Sequence, residues 1–151
     1  MLKPQSFCHD QSSCGEGQPD QAPQSFSSPR LFAPLDEDQI GEPFYRFQQL
    51  KPIDPPSAFE AFSQFKTAMI RRMDSEDVEL FPAFEARVGK EVCNISDTLR
   101  QEHEEIRRVL NEIEVKLSRS DFSTEMEERA LEAALIAHNH RETNVVYSAL
   151  E

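Results

Sequence analysis

Long apolar runs are missing from this 151-residue chain. None approaches the roughly 20 residues of a membrane span, so no membrane partner is expected. The opening residues, Met1 to Ser6, carry no apolar signal-peptide core. Cysteine is scarce and odd in number: Cys8, Cys14 and Cys93. Three thiols do not make a disulfide framework, and a reducing cytoplasm is the expected compartment. Basic charge is short too, with 16 Lys and Arg against 28 Asp and Glu and a net charge of −12. Nucleic acid and anionic membrane surfaces need a basic footprint and are excluded as main partners. Strand signals are absent: β-branched residues are sparse and no alternating run is longer than a few residues. Beyond Pro56 the only helix breakers are Pro82 and Gly89.

What the chain does have divides near residue 30. Residues 1–29 scatter a few apolar side chains among Ser, Gln, Pro and Gly. Such a stretch buries too little to offset its ordering entropy, so a disordered tail is expected. Residues 30–151 read as one all-α domain, a four-helix up-down bundle. The first helix spans about 35–50, with Gly41 and Pro43 expected to kink or split it. A Pro-rich linker follows over 51–56. The second helix spans about 57–88, with Phe59, Phe62, Phe65, Met69, Met73, Glu76, Leu80 and Phe84 on one face. Pro82 is expected to bend its last turns and Gly89 to end it. The third helix spans about 94–118 with a stripe of Ile95, Leu99, His103, Ile106, Leu110, Ile113 and Leu117. The fourth starts near Thr124, where Thr124 and Glu127 fit a capping box. Its stripe is Leu131, Leu135, His138, Glu142, Val145 and Ala149.

The two halves echo each other. Residues 72–85 align with residues 138–151, so that Glu76 meets Glu142, Phe81 meets Tyr147 and Ala83 meets Ala149. A fainter echo pairs Leu35, Asp38 and Gln39 with Leu99, Glu102 and His103. The repeat sets Glu76, His103, His138 and Glu142 within apolar stripes. His138 and Glu142 are four apart and share a helix face. A buried carboxylate is costly unless it is paired or holds a metal. Two Glu and two His facing one core therefore call for a cation, and the mixed donors suit iron, manganese or zinc. His140 lies nearly opposite His138 and Glu142 round the helix and is left out of the set.

These motifs resemble the hemerythrin-like, HHE cation-binding domain over about residues 31–151. Leu99-Arg-Gln-Glu102-His103 matches that family's third-helix pattern, and His138-Asn-His-Arg-Glu142 its fourth. Glu76 with Leu80-Phe81-Pro82 matches the second. In the family, the first- and second-helix histidines serve one iron, the third- and fourth-helix histidines serve the other, and the two Glu bridge both. Here Arg72 stands at the second-helix His position and Gln39 at the first. The resemblance thus implies one retained iron, or another divalent ion, on Glu76, His103, His138 and Glu142. It also implies binding of O2 or NO, or redox sensing. Arg72, four residues before Glu76, carries a guanidinium that can neutralise Glu76 and Glu142 in place of the missing ion. The competing expectation is a metal-free bundle kept as an interaction or regulatory module. Catalysis has little residue-level support: no nucleophile–base pair, phosphate loop or dinucleotide fingerprint is present. Cys8, His9 and Cys14 lack a usual zinc spacing and read as tail residues, Cys93 as a packing residue, and Tyr147 as structural.

Overall fold

The computed structural model describes residues 40–89 and 93–151. Among them there is no strand, and no helix is long and apolar enough to cross a membrane. The expected tail, Cys8, Cys14 and Gln39 lie outside the described residues, as does the side chain of Cys93. Four rods make the bundle. The first is α1 (Glu42–Leu50). The second is α2 (Pro55–Ser75), a π-helical turn (Glu76–Leu80) and α3 (Phe81–Val88) in one continuous helical path. The third is α4 (Cys93–Ser118). The fourth is α5 (Glu125–Arg141), a second π-helical turn (Glu142–Tyr147) and α6 (Ser148–Leu150). α1 packs on α2, α4 on α5, and α2 on α4.

Several sequence expectations need correcting here. Gly41 is already helical, and Pro43 sits in the first turn of α1. The helical path changes there from π at Ile40 and Gly41 to α from Glu42, so it is not uniform through these positions. Pro55 and Pro56 belong to the first turn of α2 and not to a linker. Asp54 caps that turn, accepting from the Ser57 backbone N–H at 3.3 Å and from its hydroxyl at 2.8 Å. Pro82 sits just past the π-turn of the second rod, inside its continuous helical path. Gly89 does end α3, at φ 89°, a backbone conformation that side chains disfavour. The capping box at Thr124 does not form. Its hydroxyl instead donates to Glu128 Oε2 at 2.6 Å and accepts from Lys51 Nζ at 3.1 Å, while Glu127 pairs with Lys116. Lys51 also meets Glu128 at 2.5 Å, so a buried carboxylate outcompetes the helix end for the hydroxyl.

Two apolar clusters fill the interior. The larger joins all four rods and is built on Phe44, Phe47, Phe62 and Phe65, whose ring centroids lie 4.7–6.2 Å apart. Each buried phenyl stabilises by roughly 1.5–3 kcal/mol. The smaller cluster is Phe81, Phe84, Leu99 and Val146. Along each long rod the two are separated by buried polar residues. Glu76 lies between Met73 and Phe81, His103 between Leu99 and Ile106, and His138 and Glu142 between Leu135 and Val146.

Candidate metal centre

The π-turns of the second and fourth rods begin at repeat-related glutamates, Glu76 and Glu142. In the first, the Phe81 N–H bonds the Glu76 carbonyl, five residues back. A π-turn spreads an extra residue over one turn and often marks a functional site. It also moves the inward position one residue along. The expected stripe ran through Leu80 and Val145, which are half-buried, whereas Phe81 and Val146 are fully buried. Phe81 stacks on the His103 ring at 5.4 Å between centroids. Its repeat partner Tyr147 is 43% exposed.

The four residues expected at the site are all buried and meet in the polar layer: His103, Glu142, His138 and Glu76. His103 Nε2 lies 3.1 Å from Glu76 Oε1 and 3.2 Å from His138 Nε2. His138 Nε2 lies 3.6 Å from Glu142 Oε2 and 3.7 Å from Glu76 Oε1. Donor atoms of Glu76, His103 and His138 all fall within 4.8 Å of one another. His140 is exposed and bonds Asn144.

The outer nitrogens of the two rings face carboxylates. His103 Nδ1 lies 2.9 Å from Asp77 Oδ1, and His138 Nδ1 3.1 Å from Glu102 Oε2. On the inner side the two Nε2 atoms face each other and a Glu76 oxygen, an arrangement that needs positive charge among them, either protons or a metal ion. Two nitrogens about 2.0–2.1 Å from one ion would lie roughly 2.9 Å apart at a right angle and roughly 3.4 Å apart at a tetrahedral angle. The observed 3.2 Å lies between these. Glu142 Oε2 adds a buried oxygen with no hydrogen-bond partner among the described residues. This donor set fits a metal ion.

Arg72 closes the other side. Its Nε donates to Glu76 Oε2 at 2.7 Å and its second terminal nitrogen to Glu142 Oε1 at 3.4 Å. Glu76 therefore divides its oxygens between the histidine nitrogens and the guanidinium. Burial pushes the Glu76 carboxyl up, but hydrogen bonds from His103 and His138 and the charge of Arg72 outweigh it. They hold the carboxyl well below the usual range. Burial pulls His138 down, yet Glu142 and Glu76 outweigh that and raise it. A cleft of about 640 Å³ reaches Arg72 and Glu76 from solvent, past Arg71, Glu79 and Tyr147.

Asp77 and Glu102 were not among the expected site residues. Asp77 follows Glu76 and Glu102 precedes His103, so each lies one step off an apolar stripe and reads as part of a solvated face. For Asp77 adjacency to a stripe residue was the available signal; Glu102 also stands in the matched third-helix motif and in the echo with Asp38.

The hemerythrin HHE cation-binding domain family model matches residues 38–150. No curated protein and no solved structure gives a significant match. The match spans most of the chain, including every residue of the polar layer. With the all-α bundle and the buried Glu and His residues between its apolar clusters, it makes this chain a member of the hemerythrin HHE cation-binding domain family.

Proposed function

We propose that the chain binds one divalent metal ion, with iron the ion in its working state. Glu76, His103 and His138 hold it with Glu142, and Arg72 stands where a second ion would be. The observation that carries this reading is the facing pair of Nε2 atoms. They lie 3.2 Å apart, with a Glu76 oxygen 3.1 Å from the His103 Nε2, while each Nδ1 faces a carboxylate on the outer side. Imidazole and carboxylate together suit a first-row divalent ion. When bound, such an ion supplies open positions at which O2 or NO can bind, the basis of a sensing role. The protein's own part is to keep both imidazoles aimed inward. Phe81 covers one ring face, and Arg72 lets Glu76 and Glu142 remain ionised in a low-dielectric layer.

One observation favours a second reading, the metal-free interaction module. Arg72 already pairs with both glutamates, so no unneutralised carboxylate pair demands an ion. Titration with cobalt(II) after chelator treatment, with metal analysis of protein purified without affinity metal, separates the two. One ion per chain is expected, lost in His103→Ala and His138→Ala. Replacing Arg72 and Gln39 together with His should raise the content toward two. Protein that is purified metal-free and takes up no cobalt would overturn the metal reading and leave the module.

A further inference from the structure

We infer that Arg100 is a positioning residue that acts through Phe81. Its guanidinium holds the phenyl ring, and the phenyl ring fixes the plane of the His103 imidazole at the centre. The inference rests on the metal reading for its affinity arm only. Its orientation arm concerns the protein alone.

The nitrogens of His103 are engaged along the edge of the ring, by Asp77 on one side and by Glu76 and His138 on the other. Edge contacts leave the tilt of the plane to whatever lies against the ring faces. Phe81 lies there, its centroid 5.4 Å away and its plane 26° from that of the imidazole. His138 meets the same ring at 46°, tilted and not stacked. The orientation of Phe81 therefore carries over to His103.

Phe81 is itself held from α4. Arg100 precedes His103 by three residues, so the two are neighbours on one helix face. Its Cζ atom lies over the Phe81 ring, 5.5 Å from the centroid. A guanidinium against a phenyl face is an attractive contact, and its planar shape is one that an ammonium does not reproduce. Arg100 is tied down in turn. Glu85, one turn after Phe81 on α3, accepts from its two terminal nitrogens at 2.8 and 3.5 Å. The same carboxylate accepts from the hydroxyl of Ser96, which is fully buried one turn before Arg100. Phe81 and Glu85 of α3 thus interlock with Ser96, Arg100 and His103 of α4. The Arg100 side chain is 34% exposed, and an ion pair at that depth contributes little to stability. What Arg100 supplies is orientation.

Arg100→Ala and Arg100→Lys test this in the full chain, each alone and in two backgrounds that keep an apolar side chain but no ring, Phe81→Leu and Phe81→Met. Aromatic 13C–1H NMR of metal-free protein at one fixed pH reads the flip rate of the Phe81 ring. It also reads the His103 ring protons, which lie in the ring current of Phe81. Zinc titration reads affinity without redox chemistry. Arg100→Ala should speed the Phe81 flip and move the His103 signals. Arg100→Lys keeps the charge without the plane and should do the same to a smaller degree. Zinc affinity should fall about two- to fivefold in Arg100→Ala, the bias that one cation–π contact places on a ring. Without the Phe81 ring, replacing Arg100 should change neither the His103 signals nor the affinity further. Arg108→Ala, which removes an exposed arginine of the same helix paired with Glu105 and Glu112, should leave every readout unchanged. If Arg100→Ala lowers the unfolding temperature and leaves the ring signals as they were, its role is merely structural and the inference is overturned. An affinity loss with unmoved ring signals overturns it too, because Arg100 then acts by charge alone. So does an undiminished effect of Arg100→Ala in the ringless backgrounds. If the unaltered protein takes up no zinc, yet Arg100→Ala moves the His103 signals only where Phe81 is present, the metal reading fails while the positioning role holds.

Discussion

Two carboxylates, Glu76 and Glu142, share the polar layer with the guanidinium of Arg72. Removing one partner of a buried ion pair leaves an uncompensated charge, and the cost greatly exceeds what the pair itself contributes. Arg72→Ala in chelator-treated protein should therefore lose about 3–5 kcal/mol, measured by urea unfolding. With zinc bound the loss should be smaller, because the ion supplies part of the missing positive charge. Equal losses with and without zinc would mean that the ion and the guanidinium do not share these carboxylates. The contact of Arg72 with Glu76 was legible because a spacing of four places the two on one helix face. The shared burial of Glu76, His103, His138 and Glu142 was legible because ionisable residues on apolar stripes are conspicuous. The contacts of Asp77 and Glu102 with the two rings were not. They pair across rods, and nothing in the spacing within one helix states which acidic residue of a solvated face reaches a neighbouring helix.

The rods were legible where a period of 3.6 residues holds and illegible where it changes. The stripe of α4 runs as expected from Leu99 through His103 to Leu117, all buried. The two π-turns break the count, and the inward positions pass to Phe81 and Val146. Turn chemistry was misread at Pro55 and Pro56 for one reason. Proline ends a helix from within but starts one well, and composition alone does not say which side of the boundary it occupies. The π-turns suggest a deletion experiment. Val78 is 72% exposed and sits inside the first of them. Removing it should restore an ordinary α-helix with Glu76 and Phe81 four apart and both still inward. The helical circular dichroism should be unchanged. The wider spacing that lets Glu76 and Asp77 address one ring would be gone, and zinc affinity should fall on the order of tenfold or more. Unchanged affinity would show that the π-turn is incidental to the centre.

At the scale of the whole bundle, the polar layer divides the apolar interior in two, and the two parts carry different duties. The larger cluster, built on Phe44, Phe47, Phe62 and Phe65, joins α1 to the first stretches of the second and fourth rods and the later stretch of the third. The smaller one lies beyond the layer and touches it through Phe81 on the His103 ring. Truncating a buried Phe costs about 3–5 kcal/mol through lost burial and the cavity left behind. Phe62→Ala and Phe81→Ala should therefore destabilise the fold by similar amounts. Their effects on the centre should differ. Phe62 lies among apolar neighbours of α1 and α2, 5.1 Å from the Phe47 ring centroid, so its loss should leave zinc affinity within about twofold. Phe81 covers the ring whose Nε2 faces both Glu76 and His138. Its loss opens space beside that ring, lets it tilt, and should admit water to the layer. Zinc affinity should then fall about tenfold, with faster zinc release in a competition with chelator. Measuring unfolding free energy and zinc affinity on both variants tests this division of labour. If the two lose affinity in equal proportion to their stability, the centre is supported by the bundle as a whole and not by the smaller cluster.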